Sequence, residues 1–138
     1  MYKELLVPYQ TDNSFMKPQP PATSRQILEA ENVLGVSFPE ELRQLLLEMN
    51  GDKWLFLSIK EIITDNLMLW EELSEIYENI REFLMIGTNG CGDYYAYKIS
   101  EGKIIDTQLV RWEHEDNSSC FVAGDLKELI RRYYENEI

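Results

Sequence analysis

Apolar residues recur at helical spacing shortly after residue 22. The stripe consists of Ile27, Ala30 and Leu34. Thr23 and Gln26 precede it in the order of a capping box, in which each side chain satisfies a free backbone amide at the start of the helix. Gly35 follows at the position where a glycine in the left-handed conformation ends a helix. The pattern therefore predicts a helix that begins after Thr23 and ends at Gly35.

The next segment predicts a second helix, joined to the first by a short connection. Its apolar face comprises Leu42, Leu45, Leu46 and Met49. Ser37 and Glu40 repeat the capping pattern, and Pro39 is tolerated in the first turn, where its missing amide costs no helical hydrogen bond. Asn50-Gly51 supplies a stop signal. The two segments together predict a helical hairpin.

A third helix is predicted over residues 65–81. Its apolar face would comprise Leu67, Trp70, Leu73 (or Ser74) and Tyr77. The apolar run 54–57, which precedes it, predicts a short buried strand. Residues 61–82 contain a single basic side chain, Arg81, against a larger set of carboxylates: Glu61, Asp65, Glu71, Glu72, Glu75, Glu78 and Glu82. The outer face of this helix is therefore expected to be strongly negative.

The second half of the chain predicts strands joined by hairpins, and then a last helix. The strands are expected at residues 83–86, 94–99, 104–112 and 120–123. Asp125 and Glu128 have the spacing of an N-cap and its partner, and the inward face of the helix that follows comprises Leu126, Leu129, Ile130 and Tyr133. This order of elements favours an α+β fold, a single domain with a mixed, mostly antiparallel sheet flanked by helices.

The first 21 residues are expected to form an arm, and the sequence leaves open whether it packs on the body of the protein. Residues 8–21 contain Pro8, Pro18, Pro20 and Pro21, four of the five prolines of the chain. Proline fixes φ and lacks an amide donor, which favours an extended conformation over a helix or a central strand. We therefore divide the chain into a proline-containing arm at 1–21 and a folded domain at 22–138.

Composition restricts the class of protein. The 138 residues are 44% hydrophobic, enough for a core without disulfides, and no apolar run approaches the roughly 20 residues that span a bilayer. The N-terminus lacks a basic flank followed by a long apolar stretch, and two cysteines do not make a secreted disulfide framework. These features predict a cytoplasmic protein with reduced thiols and no membrane partner.

The charge of the chain argues against nucleic acid and for a basic protein partner. There are 25 acidic and 13 basic residues, which give a net charge of −12. A protein that binds nucleic acid needs a basic face to neutralise phosphates, and the basic residues here do not cluster. The same negative field would attract a basic protein and accelerate its encounter, although acidity also serves solubility alone.

A glycine-rich segment precedes the strand at 94–99. Gly87, Gly90 and Gly92 stand within six residues, but no lysine followed by serine or threonine completes a phosphate-binding loop, and no helix follows. The pattern favours a shaped binding turn over a nucleotide site. Tyr95 and Tyr97 share a face with Ile99 and are expected in the core. Tyr94 and Asp93 are better candidates for an interface.

No residue pattern predicts catalysis, a metal or a cofactor. His114 is the only histidine, and neighbours in sequence cannot all turn toward one zinc ion. Cys91 has an acidic neighbour, which disfavours a reactive thiolate, and Cys120 beside Phe121 is expected in the core. A carboxylate pair for glycoside hydrolysis could be chosen from the many acidic residues, but no spacing requires one.

Several motifs follow one another in a recognisable order. The first are Pro21-Ala-Thr23, Ile27, Glu29-Ala30-Glu31, Leu34-Gly35, Phe38-Pro39-Glu-Glu41-Leu42 and Asn50-Gly51. The later ones are Phe83-Leu-Met-Ile86-Gly87, Thr88-Asn-Gly90, Gly92-Asp93-Tyr94-Tyr95 and Trp112-Glu-His114-Glu115. In order and spacing the set resembles the SUKH superfamily. The resemblance implies an α+β fold with a mixed sheet and flanking helices, and it brings no catalytic residues or cofactor.

The resemblance also implies a role in protein binding. Many bacterial members are immunity proteins that neutralise a cognate toxin domain, often a nuclease, whereas fungal members are regulatory scaffolds in cell-wall synthesis and signalling. We therefore predict a non-enzymatic immunity protein that occludes a basic toxin domain with an acidic face, with the regulatory scaffold as the alternative. The predicted partner contacts are Asn89, Asp93, Tyr94, Trp112, Glu113, His114, Glu115 and Asp116. The residues predicted to steer the encounter are Glu71, Glu72, Glu75 and Glu78.

Overall fold

The computed structural model describes residues 1–11 and 15–138. Its sheet has four antiparallel strands whose spatial order follows the chain. They are β1 (Phe83–Thr88), β2 (Tyr94–Ser100), β3 (Lys103–Glu113) and β4 (Ser118–Ala123). The predicted α+β fold is confirmed, and the one parallel pairing among these residues is an isolated bridge between Ser37 and Lys103.

Five α-helices, counted over the described residues, pack around the sheet. They are α1 (Tyr2–Leu6), α2 (Ser24–Leu34), α3 (Glu40–Glu48), α4 (Ile59–Leu73) and α5 (Leu126–Tyr134), and short 3-10 turns lie at Val7–Tyr9 and Ile80–Glu82. The predicted ends of α2 are confirmed: Thr23 and Gln26 form the capping box, and Gly35 has a φ of 70°. Asp125 caps α5 as predicted, by accepting from the amide of Glu128.

The predicted start of α3 is wrong. The N-cap is Pro39, in an extended conformation, and the side chain of Ser37 does not cap the helix. Ser37 bridges to Lys103 of the sheet, and the amide of Phe38 donates to the Glu31 carboxylate of α2 at 2.7 Å. These contacts hold the backbone extended, which is incompatible with the first turn of a helix.

The predicted bounds of the helix at 65–81 are also wrong: residues 65–73 are α-helical, but α4 begins at Ile59 and ends at Leu73. A capping box of Ser58 and Glu61 starts it. Its buried face comprises Ile59, Ile62, Asn66, Leu69 and Trp70, whereas Leu67 is 38% exposed. Because Asn66, in the middle of the buried face, is polar, the spacing of the hydrophobic residues did not reveal this face.

The predicted strand at 54–57 is replaced by a tight turn with one bridge, between Phe56 and Gly87. The buried carboxylate of Asp52 accepts hydrogen bonds from the amides of Trp54, Leu55 and Phe56 through one oxygen, Oδ1, at 2.8–3.0 Å. This oxygen takes the place of a strand partner and curls the backbone. Trp54 is 45% exposed and stacks on Phe15 instead of entering the core.

Helix α4 closes the outer edge of β1. The side-chain amide of Asn66 donates to the Met85 carbonyl at 2.9 Å and accepts from the Met85 amide at 2.8 Å, and Trp70 Nε1 donates to the Phe83 carbonyl. Backbone hydrogen bonds from the 55–57 turn pair with the rest of this edge. The polar groups that an edge strand leaves open are thereby satisfied.

The described part of residues 1–21 packs on the rest of the chain. Tyr2, Leu6 and Met16 are buried in the core. The amino group of Met1 pairs with Glu48 at 2.6 Å, and the backbone of Lys17 donates to the Asp52 carbonyl. Residues 12–14 of the predicted arm lie outside the described residues.

None of the helices that the structure describes has the length and apolar content needed to cross a membrane.

Candidate functional site

Two turns meet at one end of the sheet because β2 lies between β1 and β3. Thr88 at the end of β1 and Trp112 near the end of β3 both pair with Tyr94 at the start of β2. The β1–β2 turn, residues 89–93, and the β3–β4 turn, residues 114–117, therefore lie side by side. These two turns contain five of the eight predicted contact residues, and two more, Tyr94 and Glu113, stand directly beside them.

Asn89 shapes the β1–β2 turn from within. Its Oδ1 accepts from the amides of Cys91 and Asp93 at 2.9 and 3.3 Å, and its Nδ2 donates to Asp93 Oδ2 at 3.0 Å. Gly90 and Gly92 have φ angles of 79° and 94°, which side chains rarely adopt. Asn89 thus fixes the position of the Asp93 carboxylate.

Asp93 joins this turn to the β3–β4 turn through His114. Its Oδ1 lies 2.7 Å from His114 Nδ1 and accepts from the His114 amide at 3.1 Å. The imidazole covers Gly92, where a Cβ atom would lie 3.0 Å from the ring, so a larger residue would displace the histidine. Partial burial opposes ionisation of Asp93, but hydrogen bonds from His114 and Asn89 outweigh it, and its pKa is lowered.

The same contact raises the pKa of His114, chiefly through the hydrogen bond to Asp93 and then through the negative charges nearby. With Nδ1 engaged by Asp93, Nε2 is the ring nitrogen left for a partner. It donates when the ring is protonated and accepts when the neutral ring keeps its proton on Nδ1. A histidine with this raised pKa stabilises the fold fully below about pH 6.5, and that contribution is lost as the pH rises through the folded pKa.

The Asp93 contact can be tested by titrating the single histidine of the chain. We expect the NMR shifts of the His114 ring to give a pKa above about 6.5 in the wild type. Asp93→Asn should lower that pKa, because the negative charge that favours the imidazolium is removed. Asp116→Asn is the control, since it removes an exposed carboxylate of the same turn that makes no hydrogen bond to the ring. Equal pKa values in wild type and Asp93→Asn would contradict this role.

Trp112 is not a surface contact, which corrects its place among the predicted partner residues. Its side chain is fully buried, and its ring packs beside Tyr94 with the ring centroids 6.3 Å apart. Its Nε1 donates to Asn117 Oδ1 at 2.7 Å, and Asn117 Nδ2 donates to Asn79 Oδ1 at 2.8 Å. Trp112 therefore anchors the β3–β4 turn from inside the protein.

Tyr94 is half-buried, so only part of its ring is open to a partner. Its hydroxyl donates to Asp65 Oδ2 of α4 at 3.1 Å. Burial first, and then the charges of Asp65 and Glu61, raise the pKa of Tyr94 to about 12. Tyr94 thus links the sheet to α4 and remains protonated at neutral pH. Tyr95 and Tyr97 are buried, as predicted.

The acidic residues of the β3–β4 turn differ in how much of their charge is free. Glu113 pairs with Arg111 at 3.2 Å and accepts from the Ser118 hydroxyl at 3.1 Å. Glu115 and Asp116 are exposed. Hydrogen bonds from Ser118 lower the pKa of Asp116, which favours its ionised form. The net negative charge of this turn therefore comes mainly from Glu115 and Asp116.

The predicted steering residues are exposed, but only two of them are helical. Glu71 and Glu72 lie in the last turn of α4, and Glu75 and Glu78 lie in the turns that follow. This segment ends at Asn79, the residue bonded to Asn117 of the β3–β4 turn. Among the residues that the structure describes, no ion pair involves the carboxylates of 61–82.

The structure thus joins two negative segments that are far apart in sequence. We call this surface the acidic corner; it comprises Asp93, Glu113, His114, Glu115 and Asp116 with Glu71, Glu72, Glu75 and Glu78. The residues that connect the segments, Asn79 and Asn117, were not predicted. Asn117 has a φ of 60°, which Asn tolerates, and the Asp116-Asn117 pair is a turn signal, but nothing in the sequence indicates its partners.

The two cysteines are both exposed, so Cys120 is not the core residue that was predicted. It lies in the first part of β4, where residues 118–121 are all exposed. In the described ranges, no three side chains of His, Cys, Asp or Glu come together in a way that could hold a metal ion. The arrangement of the corner is suited to charge complementarity and hydrogen bonding with another macromolecule.

Comparison with known proteins identifies the sequence pattern. The model of the SMI1 / KNR4 family (SUKH-1) matches residues 21–132. This range includes helices α2, α3 and α4, the four strands of the sheet, and α5 except for its last two residues. No curated protein matches the chain significantly.

Proposed function

The chain belongs to the SMI1 / KNR4 family (SUKH-1), and on that premise we propose that it is an immunity protein that binds a cognate toxin domain and blocks it without chemistry of its own. Membership supports a toxin-immunity role or an SMI1/KNR4-like regulatory role, and the family is in general non-catalytic. Both roles act through binding to a protein. The toxin and its reaction belong to the proposal.

The proposal of a basic toxin domain as the partner rests on the acidic corner. Its carboxylates on the 71–78 segment have no ion-pair partner in the described part of the chain, and Glu115 and Asp116 extend the same negative surface. A nuclease domain must present a basic groove to hold phosphates. A negative surface fits such a groove, and docking there would exclude the substrate.

The structure of the corner suggests how each residue would contribute. His114, Glu115 and Asp116 are exposed and would contact the toxin directly. Asn89 and Asp93 would hold the turns in place for them. Because hydrogen bonds fix both turns before binding, little conformational entropy would be lost on association.

Neutralisation is tested with candidate toxin domains, beginning with any nuclease-like domain encoded next to the gene of this chain. We expect coexpression to protect cells and the purified chain to inhibit the toxin stoichiometrically. Failure of the wild type to bind or protect would refute the immunity role. Binding to a host protein of wall synthesis, with no effect on a toxin, would favour the regulatory alternative.

Steering is tested by the association rate. We expect Glu71, Glu72, Glu75 and Glu78 changed together to Gln to lower the association rate constant about tenfold at low salt and to flatten its salt dependence, with little change in dissociation. The matched control changes four exposed glutamates elsewhere to Gln, namely Glu4, Glu29, Glu40 and Glu101, and has the same net charge. Equal effects of the two quadruple variants would contradict a localised steering surface.

A further inference from the structure

The two edges of the sheet differ in whether the backbone groups of the edge strand have hydrogen-bond partners. The β1 edge is closed by Asn66, by Trp70 and by the 55–57 turn. On the β4 edge, among the described residues, no hydrogen bond from outside the sheet reaches the backbone of Ser119, Cys120 or Phe121. The caps that the described residues supply lie at its ends, where Asp116 accepts from the Ser118 amide and Arg132 donates to the Val122 carbonyl.

The side chains of this edge are exposed on both faces of the sheet. Ser118, Ser119, Cys120 and Phe121 are all exposed, and Phe121 reaches 56%. Val110, the cross-strand neighbour of Phe121, is half-buried and continues the apolar surface onto β3. Proteins usually block an open edge with lysine, proline or an inward charge, and residues 118–121 contain none of these.

We propose that the β4 edge, residues 118–121, receives an extended segment of a basic protein partner, which adds a fifth strand to the sheet. Backbone hydrogen bonds to the free edge would supply affinity, and an apolar side chain of the segment would pack on Phe121. Basic side chains of the segment would lie beside the acidic corner, since β4 begins directly after Glu115, Asp116 and Asn117. The inference rests on the proposed function for the basic character of the partner.

A second copy of the chain fits this edge less well. Two copies with a net charge of −12 each repel one another. Antiparallel pairing of two β4 strands about Ser119 and Cys120 would place Glu115 and Asp116 of one copy beside the 123–125 segment of the other, which contains Asp125. A basic segment meets attraction at the same positions.

The probe is a capped hexapeptide that alternates lysine and valine, added to the full chain without any toxin. We expect it to slow hydrogen exchange of the outward amides of residues 119–121 and to shift their NMR signals. A hexapeptide that alternates glutamate and valine should bind at least about tenfold more weakly, because the corner repels it. A lysine and proline peptide, which lacks alternate amide donors, should not protect the edge.

Phe121→Lys should weaken binding of the lysine and valine peptide about tenfold, because it removes the apolar contact and repels the segment. Val33→Lys, at another exposed apolar residue, on α2, makes the same charge change and should bind like the wild type. Absence of protection at residues 119–121, or equal binding by Phe121→Lys, would overturn the proposal. So would a wild-type dimer in sedimentation equilibrium that Phe121→Lys dissociates.

Toxin binding separates this proposal from the function on which it rests. If wild type and Phe121→Lys bind the toxin equally well, the strand-addition mode is wrong and the immunity role stands. If the wild type binds no toxin, the immunity role fails, and the peptide experiment still decides whether the β4 edge accepts a basic strand.

Discussion

Asn66→Leu should lower the free energy of unfolding by about 3 kcal/mol, because it leaves two buried backbone groups without partners. The Asn66 side chain is fully buried and gives Met85 both a donor and an acceptor, at 2.9 and 2.8 Å. Leucine has a similar volume, so the loss would come from the unpaired amide and carbonyl of Met85 rather than from a cavity. Denaturant unfolding with an unchanged m-value would measure it.

The matched control makes the same replacement at an exposed helical position. Asn32→Leu on α2 should change the free energy of unfolding by no more than about 0.5 kcal/mol. Asn66→Asp should cost at least as much as Asn66→Leu, because its carboxylate would be buried without a counter-charge and would face the Ile62 and Met85 carbonyls, to which it cannot donate. If Asn66→Leu were as stable as Asn32→Leu, water would have to reach the β1 edge.

Trp112→Ala should have the largest effect, a loss of about 3–5 kcal/mol in the free energy of unfolding, as for a fully buried aromatic residue. The change opens a cavity beside Tyr94 and removes the hydrogen bond to Asn117. Since a domain of this size is stable by about 5–15 kcal/mol, a large part of its stability would be lost. Thermal and denaturant unfolding would both report the loss.

Two further tryptophan variants separate packing from hydrogen bonding. Trp112→Phe keeps most of the ring but cannot donate to Asn117, so it should be intermediate in stability and should loosen hydrogen exchange in the 114–117 turn. Trp54→Ala removes a tryptophan that is 45% exposed and should cost clearly less than Trp112→Ala. Equal costs at the two positions would contradict the anchoring role of Trp112.

Both replacements would change the candidate binding surface without touching an exposed residue. Asn66 fixes the edge of β1, whose end leads into the Asn89 turn, and Trp112 holds the turn that contains His114, Glu115 and Asp116. We therefore expect variants at these positions that remain folded to associate with a toxin more weakly because their turns are less ordered. The acidic residues supply charge, and the buried residues supply its position.

The sequence by itself determined those elements whose signals lie within a few residues of one another. The sequence predicted the capping box of α2 and the Asp125 cap of α5 because in each the two partners are three residues apart. It predicted Gly35 because that glycine directly follows the last residue of α2. The strands of the sheet followed from short apolar runs and their turns. The net charge, which is a property of composition, determined the sign expected for a partner.

Only the tertiary structure decided the features that depend on contacts between distant residues. Asn66 is buried because its side chain bonds the backbone of Met85, 19 residues away, at the edge of β1. Since the buried face of α4 contains this polar residue, the pattern of apolar residues alone gave the wrong bounds for α4. The two acidic segments form one corner because Asn79 meets Asn117, 38 residues away. Trp112 is buried and Cys120 exposed, although both stand in neighbouring strands, because tertiary packing covers the sheet at Trp112 and leaves the start of β4 bare. Local spacing carries no information about which face or edge another segment will cover, and packing alone determines it.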